Sequence, residues 1–127
     1  MDRFLWVCLG SALGGGARYL VSQAALQFLG PEFPFGTLTV NVAGSFLIGL
    51  IMHVGLTSTL ISPTTRIFLT TGVMGGLTTY STFNYETLNL MQEGVWHLAA
   101  LNLGGTVLGC FLAGILGLAA GELWVGG

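Results

Sequence analysis

The chain has no lysine, only three arginines and five acidic residues among its 127 positions, so just 6% of it is charged. A soluble domain carries about 25% charged residues, and this deficit leaves too little polarity to cover a surface facing water. There is no basic patch to hold nucleic acid, and a formal net charge of -2 points to no particular partner. Cysteine is equally scarce. Cys8 and Cys110 both sit in apolar runs, with no CxxC and no histidine beside them. They read as small hydrophobic residues rather than a disulfide or a metal site. What the chain does have is apolar surface: 53% of residues are hydrophobic and the mean hydropathy is +0.83. It reads as an all-α integral membrane protein.

Four stretches, at 4–29, 36–59, 65–92 and 95–124, supply the roughly 20 helical residues needed to cross a hydrocarbon core. Together they predict a single four-helix membrane domain over 1–127. Pro31 and Pro34, flanked by glycines, break the chain between the first two spans. Ser62-Pro63 marks the second turn, with a capping hydroxyl and a proline at the first helical position. Gln92-Glu93-Gly94 makes the third turn. The runs are too long, and lack the period-2 alternation, for strands of a β-barrel. The opening MDRFLWVCLGSALGGGA has the apolar character of a signal peptide, but its Asp2-Arg3 head is net neutral. Its apolar run also continues past Arg18 to Leu29, so it is read as a retained first span.

Trp6, Trp96 and Trp124 fall near span ends, where an interfacial aromatic belt belongs, and His97 joins them. His53, late in the second span, carries little signal. Arg3 and Arg66 lie on the side of the termini and no basic residue lies opposite. So small a bias permits insertion in both orientations, and with it an antiparallel dimer. Gly10 and Gly14, Gly105 and Gly109, and Gly117 and Gly121 are each four apart, a spacing that lets helix backbones approach closely. A homo-oligomer and tight packing within one chain both use such faces.

Polar side chains inside the membrane mark a pathway or a helix contact. Thr37, Asn41 and Ser45 form an i, i+4, i+8 stripe on the second span. Thr78, Thr82 and Glu86 form another on the third, where Tyr80 and Phe83 are i, i+3 neighbours. Asn102, Thr106 and Cys110 repeat the pattern more weakly on the fourth. Columns of hydroxyls and amides without Lys or Arg can hold a small ion loosely, which selective conduction requires. Gly75-Gly76 lies mid-span, where a helix can be interrupted, and irregular backbone at that depth must be buried in protein or line a cavity. A close-packing glycine pair is the other reading. Arg18 is the only basic residue well inside a span. It either snorkels or pairs with a carboxylate, or it draws an anion into a vestibule. Glu86 pairs with Arg18, satisfies a helix end, or takes a proton.

FGTLTVNVAGSFLIG (35–49) and TTGVMGGLTTYSTFNYE (70–86), supported by GGGAR (14–18) and the four-span length, resemble the Fluc, or CrcB-type, fluoride channel family. The resemblance covers essentially the whole chain. It implies an antiparallel, dual-topology homodimer in a prokaryotic cell (inner) membrane, with two pores passing F⁻ passively out of the cytoplasm. Asn41 matches the family's pore-lining asparagine, and Phe83 the second of two aromatic residues whose ring edges face fluoride. Ser81 and Thr82 match the polar track beside the pore, with Thr106 on the fourth helix. Gly75 and Thr78 match positions whose backbone carbonyls, from both subunits, hold a central structural Na⁺. Arg18 and Glu86 match charged positions of the family. There are two departures: Tyr80 stands where many members carry a phenylalanine, and Cys110 stands where they carry a hydroxyl.

The residue chemistry agrees with that implication. Fluoride is small and strongly hydrated, so stripping its water needs close, numerous donors, which Asn, Thr and Ser supply. Aromatic ring edges carry positive partial charge. A proton-coupled small multidrug-type transporter is the alternative, but it needs a carboxylate at the centre of its chamber, and Glu86 is the one candidate. A structural membrane subunit accounts for the glycines but not for the donor columns.

Overall fold

The computed structural model describes residues 2–126, and within them every regular element is helical. Three helices run unbroken: α1 (Asp2–Leu29), α2 (Phe35–Thr57) and α6 (Trp96–Val125), the last being numbered after the pieces of the third passage. Each of the three is long and apolar enough to cross a membrane. The third passage consists of α3 (Pro63–Ile67), a π-helical stretch (Phe68–Met74), α4 (Gly75–Leu77) and α5 (Tyr80–Gln92). The expectation of four long spans thus resolves into three continuous helices and one broken one. Its entry follows the sequence logic: the Ser62 hydroxyl accepts the Thr65 N–H at 3.1 Å, with Pro63 at the first helical position.

The passage is interrupted near Gly75-Gly76, as expected, and the residues that leave helical backbone are Thr78 (φ -88°, ψ 156°) and Thr79 (φ -153°, ψ 122°), just beyond the glycines. Gly75–Leu77 stays helical. Two consecutive β-branched residues favour extended backbone, and Thr79 then caps α5 by accepting the Thr82 N–H. This also corrects the Thr78–Thr82–Glu86 stripe. That stripe assumed one continuous helix, whereas only Thr82 and Glu86 share α5.

The glycines of the third passage serve close approach instead. A Cβ at Gly76 would overlap the Ser11 carbonyl, and one at Gly10 would lie 2.7 Å from the Phe68 carbonyl. A Cβ at Gly14 would overlap the Val73 carbonyl. α1 and the third passage therefore meet backbone to backbone. α2 and α6 do the same while running in the same direction: Gly49 faces the Gly114 carbonyl and Gly117 the Phe46 carbonyl, while Gly121 makes room for the His53 side chain. Of the three spaced glycine pairs, Gly10/Gly14 and Gly117/Gly121 are consumed within the chain. Gly105 has open space around it and Gly109 touches only Val42.

The interior is correspondingly unusual. Large apolar residues such as Leu20, Leu108 and Leu123 point outward, while Thr37, Asn41, Thr70, Thr87, Asn102 and Thr106 are buried. That inversion suits a lipid surround, where apolar faces need no cover and polar groups must find partners inside.

Candidate functional site

At the break, backbone groups that a continuous helix would pair internally are left without partners. Asn41, from the middle of α2, takes over two of them. Its Oδ1 accepts the Thr79 N–H at 2.8 Å and its Nδ2 donates to the Thr79 carbonyl at 3.0 Å. The Thr79 backbone can only donate from nitrogen and accept at oxygen, so the amide orientation is dictated by its partners. One Nδ2 proton remains uncommitted. Gly44, one turn along α2, has no side chain to obstruct the Thr78 methyl.

This arrangement frees two carbonyls. In an unbroken helix the Thr79 N–H would reach Gly75 O and the Thr82 N–H would reach Thr78 O. Here the first goes to Asn41 Oδ1 and the second to Thr79 Oγ1 at 3.3 Å. Of the two carbonyls between them in sequence, that of Gly76 is taken by Arg18, whose Nε donates at 3.1 Å. Of the roles open to Arg18, the structure therefore shows a backbone contact at the break rather than a pairing with Glu86.

Beside the break lies a cleft of about 730 Å³ walled by α2, the third passage and α6. Asn41, Ser45, Gly75, Thr78, Tyr80, Phe83, Thr106 and Cys110 all line it, and no charged residue does. Tyr80 and Phe83 meet edge to face, with ring centroids 5.8 Å apart and planes at 81°. Phe83 is buried at 4% exposure, whereas Tyr80 is 79% exposed. Eight of the residues singled out from the sequence thus converge on one cleft: Asn41, Ser45, Gly75, Thr78, Tyr80, Phe83, Thr106 and Cys110.

The others lie elsewhere. Ser81 is exposed on the outer face of α5. Thr82 is folded back on its own cap, its Oγ1 3.0 Å from Thr79 Oγ1. Glu86 lines a separate pocket of about 210 Å³ with Ser22, Gln23, Phe33 and Gly36, and its Oε1 is buried without a hydrogen-bond partner. One participant had no individual signal: Thr87, buried one turn beyond Phe83, donates to the Phe83 carbonyl at 2.9 Å. Its i+4 spacing from Phe83 on an amphipathic helix was the available clue.

The description "CrcB-like protein, Camphor Resistance (CrcB)" belongs to the family whose model matches residues 5–118. The chain belongs to the CrcB-like family. A relative in Anaeromyxobacter dehalogenans, named fluoride-specific ion channel FluC, is 58% identical over 113 residues, 89% of this chain and 90% of its own length. One of the same name in Sorangium cellulosum is 47% identical over 127 residues, the full length of both. Another in Geobacter metallireducens is 51% identical over 112 residues, 88% of this chain and 90% of its own. The resemblance carried by 35–49 and 70–86 therefore holds. Family and apolar helices together make this CrcB-like chain a multi-pass membrane protein, and its break and cleft fall inside the matched region.

Proposed function

We propose that this chain is a fluoride-selective channel, not an enzyme, and that it lets F⁻ leave the cytoplasm passively across the bacterial inner membrane. The observation that carries the reading is the uncharged cleft, mostly apolar but carrying a few amide and hydroxyl donors, built on a helix break that a buried asparagine holds. The FluC name of its relatives supports the choice of ion.

In such a cleft the uncommitted Asn41 N–H, the hydroxyls of Ser45 and Thr106, and the positive edges of Tyr80 and Phe83 replace water around the anion. None carries a full charge, so an ion dehydrated there is bound without being trapped. Arg18, tied to the break, adds positive potential nearby. Ser81 and Thr82 belong to the approach rather than to the cleft wall.

The channel acts as an antiparallel, dual-topology homodimer with two pores. Tyr80 stands almost fully exposed and the cleft is open-sided, so a second copy is needed to enclose the path. The freed carbonyls of Gly75 and Thr78 are hard oxygen donors, the chemistry that suits Na⁺. One chain offers only two of them, and the two-fold mate of a symmetric dimer would supply the rest. When bound, the ion supplies fixed positive charge at the dimer centre. A proton-coupled transporter gains nothing from the geometry, because Glu86 sits in its own pocket away from the cleft.

The test is efflux from liposomes loaded with KF and containing the purified protein, with valinomycin opening a K⁺ path. Fluoride should appear outside at the electrode, and liposomes loaded with KCl should retain their chloride. Retained fluoride, or chloride leaving equally fast, would overturn the reading.

A further inference from the structure

The wall of the cleft formed by α6 connects to α5 through a buried chain of hydrogen bonds whose direction can be read from one end. The Phe83 carbonyl can only accept, so the Thr87 hydroxyl donates to it, at 2.9 Å. Thr87 Oγ1 is then an acceptor for its other neighbour, and Asn102 Nδ2 donates to it at 2.8 Å. With the nitrogen of the amide fixed toward Thr87, Oδ1 must face Thr106, whose hydroxyl donates to it at 3.4 Å. Every donor in the chain points along it from Thr106 toward the Phe83 carbonyl. All four residues are buried, Asn102 at 2% exposure.

The consequence falls on Thr106, the member that presents a side-chain hydroxyl to the cleft. At rest its proton is turned to Asn102, and the cleft sees its lone pairs, which repel an anion. The bond holding that proton is also the longest in the chain, well beyond the usual O–H···O distance of about 2.8 Å. It is the weakest link and it lies next to the path.

We propose that Thr87 and Asn102 are positioning residues that keep the Thr106 hydroxyl as a loosely tethered donor, released to an entering fluoride and taken back when the ion leaves. This rests on the fluoride-channel reading. Thr87 fixes which end of the Asn102 amide faces the cleft, and Asn102 Oδ1 is the acceptor to which the Thr106 proton returns. Without Thr87 the amide is free to turn its NH₂ toward Thr106, and the return site is lost.

A double-mutant cycle on full-length protein in KF-loaded liposomes tests this, with rates taken per folded protein after size exclusion. Thr87→Val, which keeps the shape and removes the hydroxyl, should slow fluoride efflux about ten-fold, the kinetic equivalent of one hydrogen bond. Thr87→Ser should return it to within about two-fold of wild type, because the acceptor and donor are restored. Thr106→Val should also slow efflux, and adding Thr87→Val to it should slow it no further, since both act through one hydroxyl. Unchanged efflux in Thr87→Val, failure of serine to rescue, or losses that multiply in the double variant would overturn the proposal while leaving the channel intact. Should Thr87→Val not give a monodisperse protein, Asn102→Ser takes its place in the cycle with the same expected non-additivity. A wild-type protein that releases no fluoride would overturn both readings before any variant is made.

Discussion

Where α1 crosses the third passage, Gly10, Gly14 and Gly76 bring main chain against main chain, and the helices there stay hydrogen-bonded within themselves. A few residues further on, at Thr78-Thr79, the helix opens, and its main-chain groups are taken by the side chains of Asn41, Thr79 and Arg18. The first contact is made by main-chain atoms brought together by glycines. The second has little but polar side chains and borders a cleft. The contrast shows how one passage can hold an irregular segment at membrane depth: the glycine contact anchors its first half, so the break can be fixed by a handful of hydrogen bonds.

Substitutions should separate the two regions. Gly14→Leu strikes the anchored contact, where even a Cβ overlaps the Val73 carbonyl. It should cost about 3 kcal/mol or more, seen as loss of the monodisperse peak in detergent. Asn41→Leu leaves the Thr79 N–H and carbonyl buried without partners, and should cost about 2 kcal/mol or more in thermal unfolding. Thr79→Ala removes only the cap of α5 and should cost about 1 kcal/mol, with Thr79→Ser close to wild type on the same readout. Gly105→Ala meets nothing among the described residues and should shift stability by no more than about 0.5 kcal/mol. If Gly14→Leu proved as mild as Gly105→Ala, the anchored half of the comparison would fail.

The sequence made some of this legible and not the rest, for physical reasons. Helix existence followed from long apolar runs, and cap residues such as Ser62 marked an entry. Asn41, Phe83 and Thr106 stood out because an amide, a ring and a hydroxyl recur at helical spacing. The residues at the break did not stand out: Gly75-Gly76 looks like a helix breaker, yet glycine in lipid is often a contact residue, and the β-branched Thr78-Thr79 pair is what departs from helix. Periodicity carried across that break put Thr78 in line with Thr82 and Glu86, although they belong to different helices. Partners far apart in sequence, such as Arg18 with Gly76 and Thr87 with Asn102, are set by packing and left no local trace.

On the proposed channel reading, the Asn41 amide both fixes the break and faces the anion. Asn41→Asp preserves the acceptor for the Thr79 N–H, removes the donors, and places a negative charge in the cleft. Fluoride efflux from KF-loaded liposomes, measured on Asn41→Asp protein that elutes as wild type, should be abolished. Efflux at the wild-type rate from that folded protein would remove Asn41 from the fluoride path.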